Sequence, residues 1–150
     1  AQWITEAELN DVEGVIAIPG AVAFLNSLPG DQWALVTSAP KELALRRLRA
    51  AGIAPPAVLV TAEDVAVGKP DPACYVLGAQ RLGVSVQDCL VFEDATVGIR
   101  AGEAAGTDVM VVTATHLEPM VTSHPSIDGY EQLQARCAAD GLLYLLYGVG

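Results

Sequence analysis

Two adjacent carboxylates, Glu93 and Asp94, end an otherwise apolar run, Cys89-Leu-Val-Phe92, just before a helical pattern begins. Burying two like charges at a strand end is costly. A hard cation such as Mg2+, held by carboxylate and water oxygens, removes that cost. The competing reading is a single helix N-cap at Asp94, with Glu93 exposed. Lys69 stands in Val67-Gly-Lys-Pro-Asp-Pro72, where Pro70 and Pro72 fix their own φ and Gly68 permits turns that other residues avoid. A long cation on a stiff loop suits a site that must neutralise a phosphoryl group and an attacking carboxylate. A solvated lysine in a proline-rich loop is the plain alternative. Thr37 and Ser38 follow Trp33-Ala-Leu-Val36. There a hydroxyl and a backbone N–H at a helix start could hold a phosphoryl oxygen, or the pair could simply cap the helix. The three points come in order, Lys69 lying 32 residues after Thr37 and Glu93 24 residues after Lys69.

The elements around these residues alternate between short apolar runs and amphipathic helical stripes, the pattern of β-α units feeding a mainly parallel sheet. Pro19-Gly20 opens a helix with the stripe Ala21, Phe24, Leu25 and Leu28, and Pro29-Gly30 closes it. The strand Trp33–Thr37 leads to a helix from Lys41, whose Ala44, Leu45, Leu48 and Ala51 share a face before Gly52. Ala57–Val60 is the next strand. Asp71 then caps a helix with Pro72 at its first position and the stripe Tyr75, Val76, Ala79 and Leu82. Cys89–Phe92 reads as a buried strand, Thr96–Ala105 as a helix with Gly98 and Gly102 placed for close packing, and Val109–Val112 as a further strand. The tail suggests a short helix near Tyr130–Ala138, an Asp140-Gly141 turn, and an edge strand over Leu142–Tyr147. In an open sheet of this kind the site lies past the carboxyl ends of the strands, where Thr37, Lys69 and Glu93-Asp94 fall.

With 150 residues, about half apolar, there is room for one domain and one ordinary core. Eighteen acidic residues against eight basic ones give a net charge of −10, which argues against nucleic-acid binding. Three cysteines, Cys74, Cys89 and Cys137, fall at no metal-ligand spacing and read as reduced core thiols. No apolar run reaches the roughly 18 residues of a membrane span, and Ala1–Asn10 lacks the features of a signal peptide, so cytoplasm is the expected location. His116 and His124 lie without carboxylate or cysteine companions and read as loop residues. Lys41, Arg46, Arg47 and Arg49 read as the solvated side of a helix, with Lys41 at its mouth-side start.

Leu35-Val-Thr-Ser38, Gly68-Lys-Pro-Asp-Pro72 and Val91-Phe-Glu-Asp-Ala-Thr-Val-Gly-Ile-Arg-Ala-Gly102 together resemble the second, third and fourth motifs of haloacid dehalogenase-like hydrolases. The similarity runs from about Gly14 to Val112. Trp33–Ser38 and Val60–Pro70 point, within that superfamily, toward phosphatases of sugar and polyol phosphates, such as hexitol, 2-deoxyglucose-6-phosphate and glycerol-3-phosphate phosphatases. The resemblance implies an α/β fold with a Rossmann-like three-layer α/β/α core and a Mg2+-dependent phosphoryl transfer through an aspartyl-phosphate. It implies that Thr37 or Ser38 binds the phosphoryl group, that Lys69 balances charge on nucleophile and phosphate, and that Glu93 and Asp94 hold Mg2+.

The family's Ala-Pro after the acidic pair is Ala95-Thr96 here, and its first motif, a strand ending in Asp-x-Asp-Gly, is not found upstream. The expectation is therefore that residues 1–13 are the remnant of a cap-to-core linker and residues 14–150 an incomplete core. The nucleophile, the central strand and the helical cap would be missing, leaving a gap that another chain or copy could fill. Asp11-Val-Glu-Gly-Val-Ile16 imitates the missing motif, but the polar stretch before Asp11 favours the linker reading. Three readings follow: part of a phosphatase for a small phosphorylated metabolite, an inactive chain that binds metal or phosphate, and a phosphotransferase like the β-phosphoglucomutases.

Overall fold

The computed structural model describes residues 2–5, 20–114, 116, 120, 122–137 and 143–147. The elements are β1 (Gln2–Thr5), α1 (Ala21–Ser27), β2 (Trp33–Val36), α2 (Lys41–Ala51), β3 (Val58–Val60), α3 (Ala73–Leu82), β4 (Cys89–Glu93), α4 (Thr96–Ala105), β5 (Asp108–Val112), β6 (Ser126–Ile127), β7 (Leu133–Cys137) and β8 (Leu143–Tyr147). Six strands form one sheet in the order β3-β2-β1-β4-β5-β6, every pair parallel. The order reverses at β1, so the crevice at its carboxyl end, between β2 and β4, is where a doubly wound sheet binds ligands.

Alternation along the strands divides the core between two faces. Trp33, Leu35 and Phe92 join Phe24, Leu25 and Leu48 from α1 and α2. Ala34, Val36, Val60, Cys89 and Val91 join Cys74, Tyr75 and Ala79 of α3 and Ala101 and Ala105 of α4. The result is the three-layer α/β/α architecture expected from the resemblance. In α3 the buried residues are Cys74, Tyr75, Gly78 and Ala79, while Val76, placed in the stripe by the sequence reading, is 40% exposed. On the first face Phe24, Phe92 and Tyr130 form a ring cluster, with centroids 5.5 to 5.8 Å apart.

Two expectations are corrected. The centre of the sheet is not a gap: Gln2–Thr5 lies there, with Ile4 opposite Ala34 on one side and Val91 on the other. Parallel pairing on both sides supplies partners for the backbone groups of β2 and β4 that a gap would have orphaned. The four residues Gln-Trp-Ile-Thr carry no carboxylate. The tail helix is also absent. Leu133–Cys137 is a strand, paired antiparallel with Leu143–Tyr147 in a separate hairpin rather than at the sheet edge. Leu133 is buried, Gln134 exposed and Ala135 half-buried, a period of two rather than 3.6. The short edge strand β6 was not anticipated, since two residues carry no pattern. Asp11–Ile16, Pro19 and the Asp140-Gly141 turn lie outside the described residues. Among the described residues no helix is long and apolar enough to cross a membrane.

Candidate active site

Glu93 ends β4 on the same face as Cys89 and Val91, beneath α3, because side chains two apart in a strand share a face. Its carboxylate is sealed from solvent, as is nearly all of the Lys69 side chain, and Lys69 Nζ lies 3.0 Å from Glu93 Oε2. The Tyr75 hydroxyl donates to the same oxygen at 2.7 Å. Glu93 Oε1 accepts the backbone N–H groups of Asp94 and Ala95 at 3.1 and 3.2 Å. Two donors on each oxygen account for the four lone-pair positions of a carboxylate. This satisfaction is what permits an ionised group to be buried there. Gly98, one turn into α4, makes the space: a Cβ at that position would overlap the Glu93 carboxylate.

Burial pushes the Lys69 ammonium below the usual lysine range, and the adjacent Glu93 charge opposes that shift. Burial, reinforced by the Glu93 charge, raises the Tyr75 phenol well above its ordinary value, so its hydroxyl stays a proton donor. The ammonium also stands 5.1 Å from the Tyr75 ring centroid.

The loop that carries Lys69 is anchored at both ends. Upstream, Asp64 accepts the Thr61 N–H at 2.8 Å and pairs with Arg81 at 3.1 Å, while Arg81 also donates to the Leu59 carbonyl. Glu63 accepts the Thr61 hydroxyl and the N–H of Lys41 at the start of α2, tying this loop to the one after β2. Downstream, Asp71 Oδ1 accepts the Ala73 N–H at 2.9 Å, an Asx turn just before α3, whose N-cap is Pro72 rather than the expected Asp71. The Lys69–Pro70 peptide is cis.

Thr37 follows β2. Its N–H donates to Val60 O at 2.9 Å and its Oγ1 accepts the Ala39 N–H at 3.1 Å. The hydroxyl therefore shapes the loop before α2 from a buried position, whereas Ser38 is exposed. Asp94 is half-buried, and its backbone carbonyl accepts a 2.7 Å bond from His116 Nε2, which must carry the proton. Among the described residues no group of three or more His, Cys, Asp or Glu could hold a metal ion. A Mg2+ site here would rest on one or two carboxylates, with water and phosphate oxygens completing it, the usual habit of that ion. Of the two acids, Asp94 fits direct coordination better, because every Glu93 lone pair already has a donor.

The structure thus joins Lys69 to Glu93 and sets Asp94 beside them. It places Thr37 and Ser38 past the end of β2, which flanks β1 on the side opposite β4. Asp11 lies outside the described residues. Two contributors escaped the sequence reading. Tyr75 was read as core, although a buried tyrosine hydroxyl needs a partner, and that was a legible signal. His116 was read as an ordinary loop residue, and nothing local marks its contact with Asp94. His124 lies 3.5 Å from Glu103, away from the acidic pair.

A parallel sheet of this order, with an acid and a hydroxyl at strand ends and a lysine in the loop after β3, defines a doubly wound α/β protein with a polar site at its carboxyl edge. The family model for haloacid dehalogenase-like hydrolases matches residues 4–106, and the chain belongs to that family. It is 48% identical over 109 residues to hexitol phosphatase A of Escherichia coli, covering 71% of this chain and 50% of that protein. It is 38% identical over 113 residues to glycerol-1-phosphate phosphohydrolase 2 of Saccharomyces cerevisiae, covering 69% and 45%. The crystal structure of a HAD family hydrolase from Deinococcus radiodurans, with bound phosphate and sodium, superposes with a TM-score of 0.64 at 31% identity, covering 79% and 51%. The chain spans about half the length of the curated relatives it matches.

Proposed function

We propose that this chain is the phosphate- and metal-binding part of a phosphatase that hydrolyses small phosphomonoesters, sugar or polyol phosphates, in the cytoplasm. The attacking aspartate comes from a segment outside this sequence. The observation that carries the reading is the sealed Lys69–Glu93 pair, with Asp94 next to it, at the carboxyl end of the switch-point strands.

In this reading Thr37 and Ser38 orient the phosphoryl oxygens from the β2 side. Lys69 faces the negative charge that the nucleophile and the phosphoryl group bring together. Glu93 keeps Lys69 charged and in place despite its burial. Asp94 would hold Mg2+, with His116 steadying its backbone carbonyl. The cation, when bound, supplies further neutralisation of phosphoryl charge. A nucleophile-bearing strand would have to replace Gln2–Thr5 between β2 and β4.

The test is phosphate release from a panel of sugar and polyol phosphates with Mg2+. The 150-residue chain would be compared with a form extended at its N-terminus by an Asp-x-Asp-Gly strand and a helical cap. Turnover is expected from the extended form alone, and Lys69→Met should abolish it. Activity of the bare chain would overturn the assignment of the nucleophile, and an extended form that folds yet releases no phosphate would overturn the function. A requirement for a sugar bisphosphate would instead identify a phosphotransferase.

A further inference from the structure

We propose that Tyr75 is a positioning residue that sets where the Lys69 ammonium stands, an inference that rests on reading Lys69 as the phosphoryl-facing cation. Tyr75 is fully buried in the first turn of α3, and it reaches both members of the ion pair at once. Its hydroxyl donates to Glu93 Oε2 at 2.7 Å, the oxygen that also receives Lys69 Nζ at 3.0 Å. Its ring face lies under the same ammonium, 5.1 Å from centroid to nitrogen.

The other oxygen of Glu93 is held by the Asp94 and Ala95 N–H groups, so the carboxylate plane is fixed from the backbone side. Gly98 leaves no slack behind it. The Tyr75 hydroxyl completes the set on Oε2, and the ammonium must share that oxygen with it. Without the hydroxyl, Oε2 has a lone pair to offer Lys69, and the ammonium is drawn further toward Glu93 and away from an incoming anion. Pure packing needs only the ring, whereas positioning needs the oxygen. The two roles separate cleanly, because phenylalanine fills the same volume as tyrosine save that oxygen.

The experiment compares the 150-residue chain with its Tyr75→Phe variant in two measurements, the 1H–15N signal of the Lys69 ammonium, assigned by its loss in Lys69→Met, and the affinity for inorganic phosphate. In Tyr75→Phe the ammonium signal should move or broaden, and phosphate affinity should fall about tenfold, the low end of the scale of one hydrogen bond to a charged group. An unmoved ammonium signal overturns the proposal, as does an unchanged phosphate affinity in a variant whose signal has moved. Should the parent chain bind no phosphate while the signal still moves, Tyr75 does hold Lys69 and the phosphoryl-site reading is what fails. If Tyr75→Phe does not fold, fluorotyrosine in the unsubstituted chain makes the hydroxyl a stronger donor. The Lys69 signal should then shift, and an unmoved signal overturns the proposal.

Discussion

Lys69 and Glu93, 24 residues apart in sequence, meet at 3.0 Å with their side chains 4% and 0% exposed. Removing one partner of such a pair leaves the other charge buried and uncompensated, which costs about 3–5 kcal/mol. Glu93→Gln and Lys69→Met should each lower unfolding stability on that scale. The double variant should lose less than the two losses summed, because it strands no charge. Urea unfolding of the four proteins measures this, and additive losses would show that the pair is not coupled.

Gly98 is held to its identity by the same carboxylate. In Gly98→Ala the new Cβ meets Glu93, whose donors prevent it from turning aside. The expected loss is about 1–3 kcal/mol, the range for overpacking. Gly102→Ala should cost less, since its Cβ would stand 3.1 Å from a Val109 methyl and 3.2 Å from Thr107 Oγ1, contacts that small shifts relieve. Equal melting temperatures for the two variants would contradict this.

Gly20 is constrained by backbone rather than by a side chain. It has φ of +78° and lies against the Tyr130–Glu131 backbone, so Gly20→Ala meets both an unfavourable conformation and atoms that cannot rotate away. The variant should lose more than about 1 kcal/mol and loosen the Phe24–Phe92–Tyr130 cluster. Chemical denaturation together with near-ultraviolet dichroism would report both.

Asp64 gives a pH dependence with a definite sign. Its hydrogen bond from Arg81, helped by the Thr61 N–H, holds the carboxyl at about 2, below the ordinary 3.8. Between those values the unfolded chain binds more protons than the folded one, so stability rises with pH through the window. The contribution is full above 3.8 and lost as the pH falls through about 2. Asp64→Asn should therefore unfold earlier than the parent in urea above pH 4, and the gap should close toward pH 2. A constant gap would mean that the charge of Asp64 contributes nothing.

Much of the fold was legible because its elements are locally consistent. The stripe Ala44 and Leu48 with a stop at Gly52 is a helix in any context, and Trp33–Val36 is an apolar run too short for one. Val76 is exposed because the face α3 buries, Cys74, Tyr75, Gly78 and Ala79, is rotated toward small residues that an apolar stripe does not mark. The tail misled for a different reason. Leu133–Cys137 has a mixed pattern, and its strand state depends on a partner, Leu143–Tyr147, that local periodicity does not register.

What the sequence by itself determined is the alternation of helix and strand, the placing of Thr37, Lys69 and Glu93-Asp94 where strands end, and hence the family. Each of these is written in residues close together along the chain. Only the tertiary structure decided that Tyr75 and Lys69 share one oxygen of Glu93, that His116 holds the Asp94 carbonyl, and that Gln2–Thr5 stands between β2 and β4. Those meetings join segments far apart in sequence. They follow from strand order and from which helix covers which face, relationships set by the packing of the whole sheet and encoded in no single stretch of it.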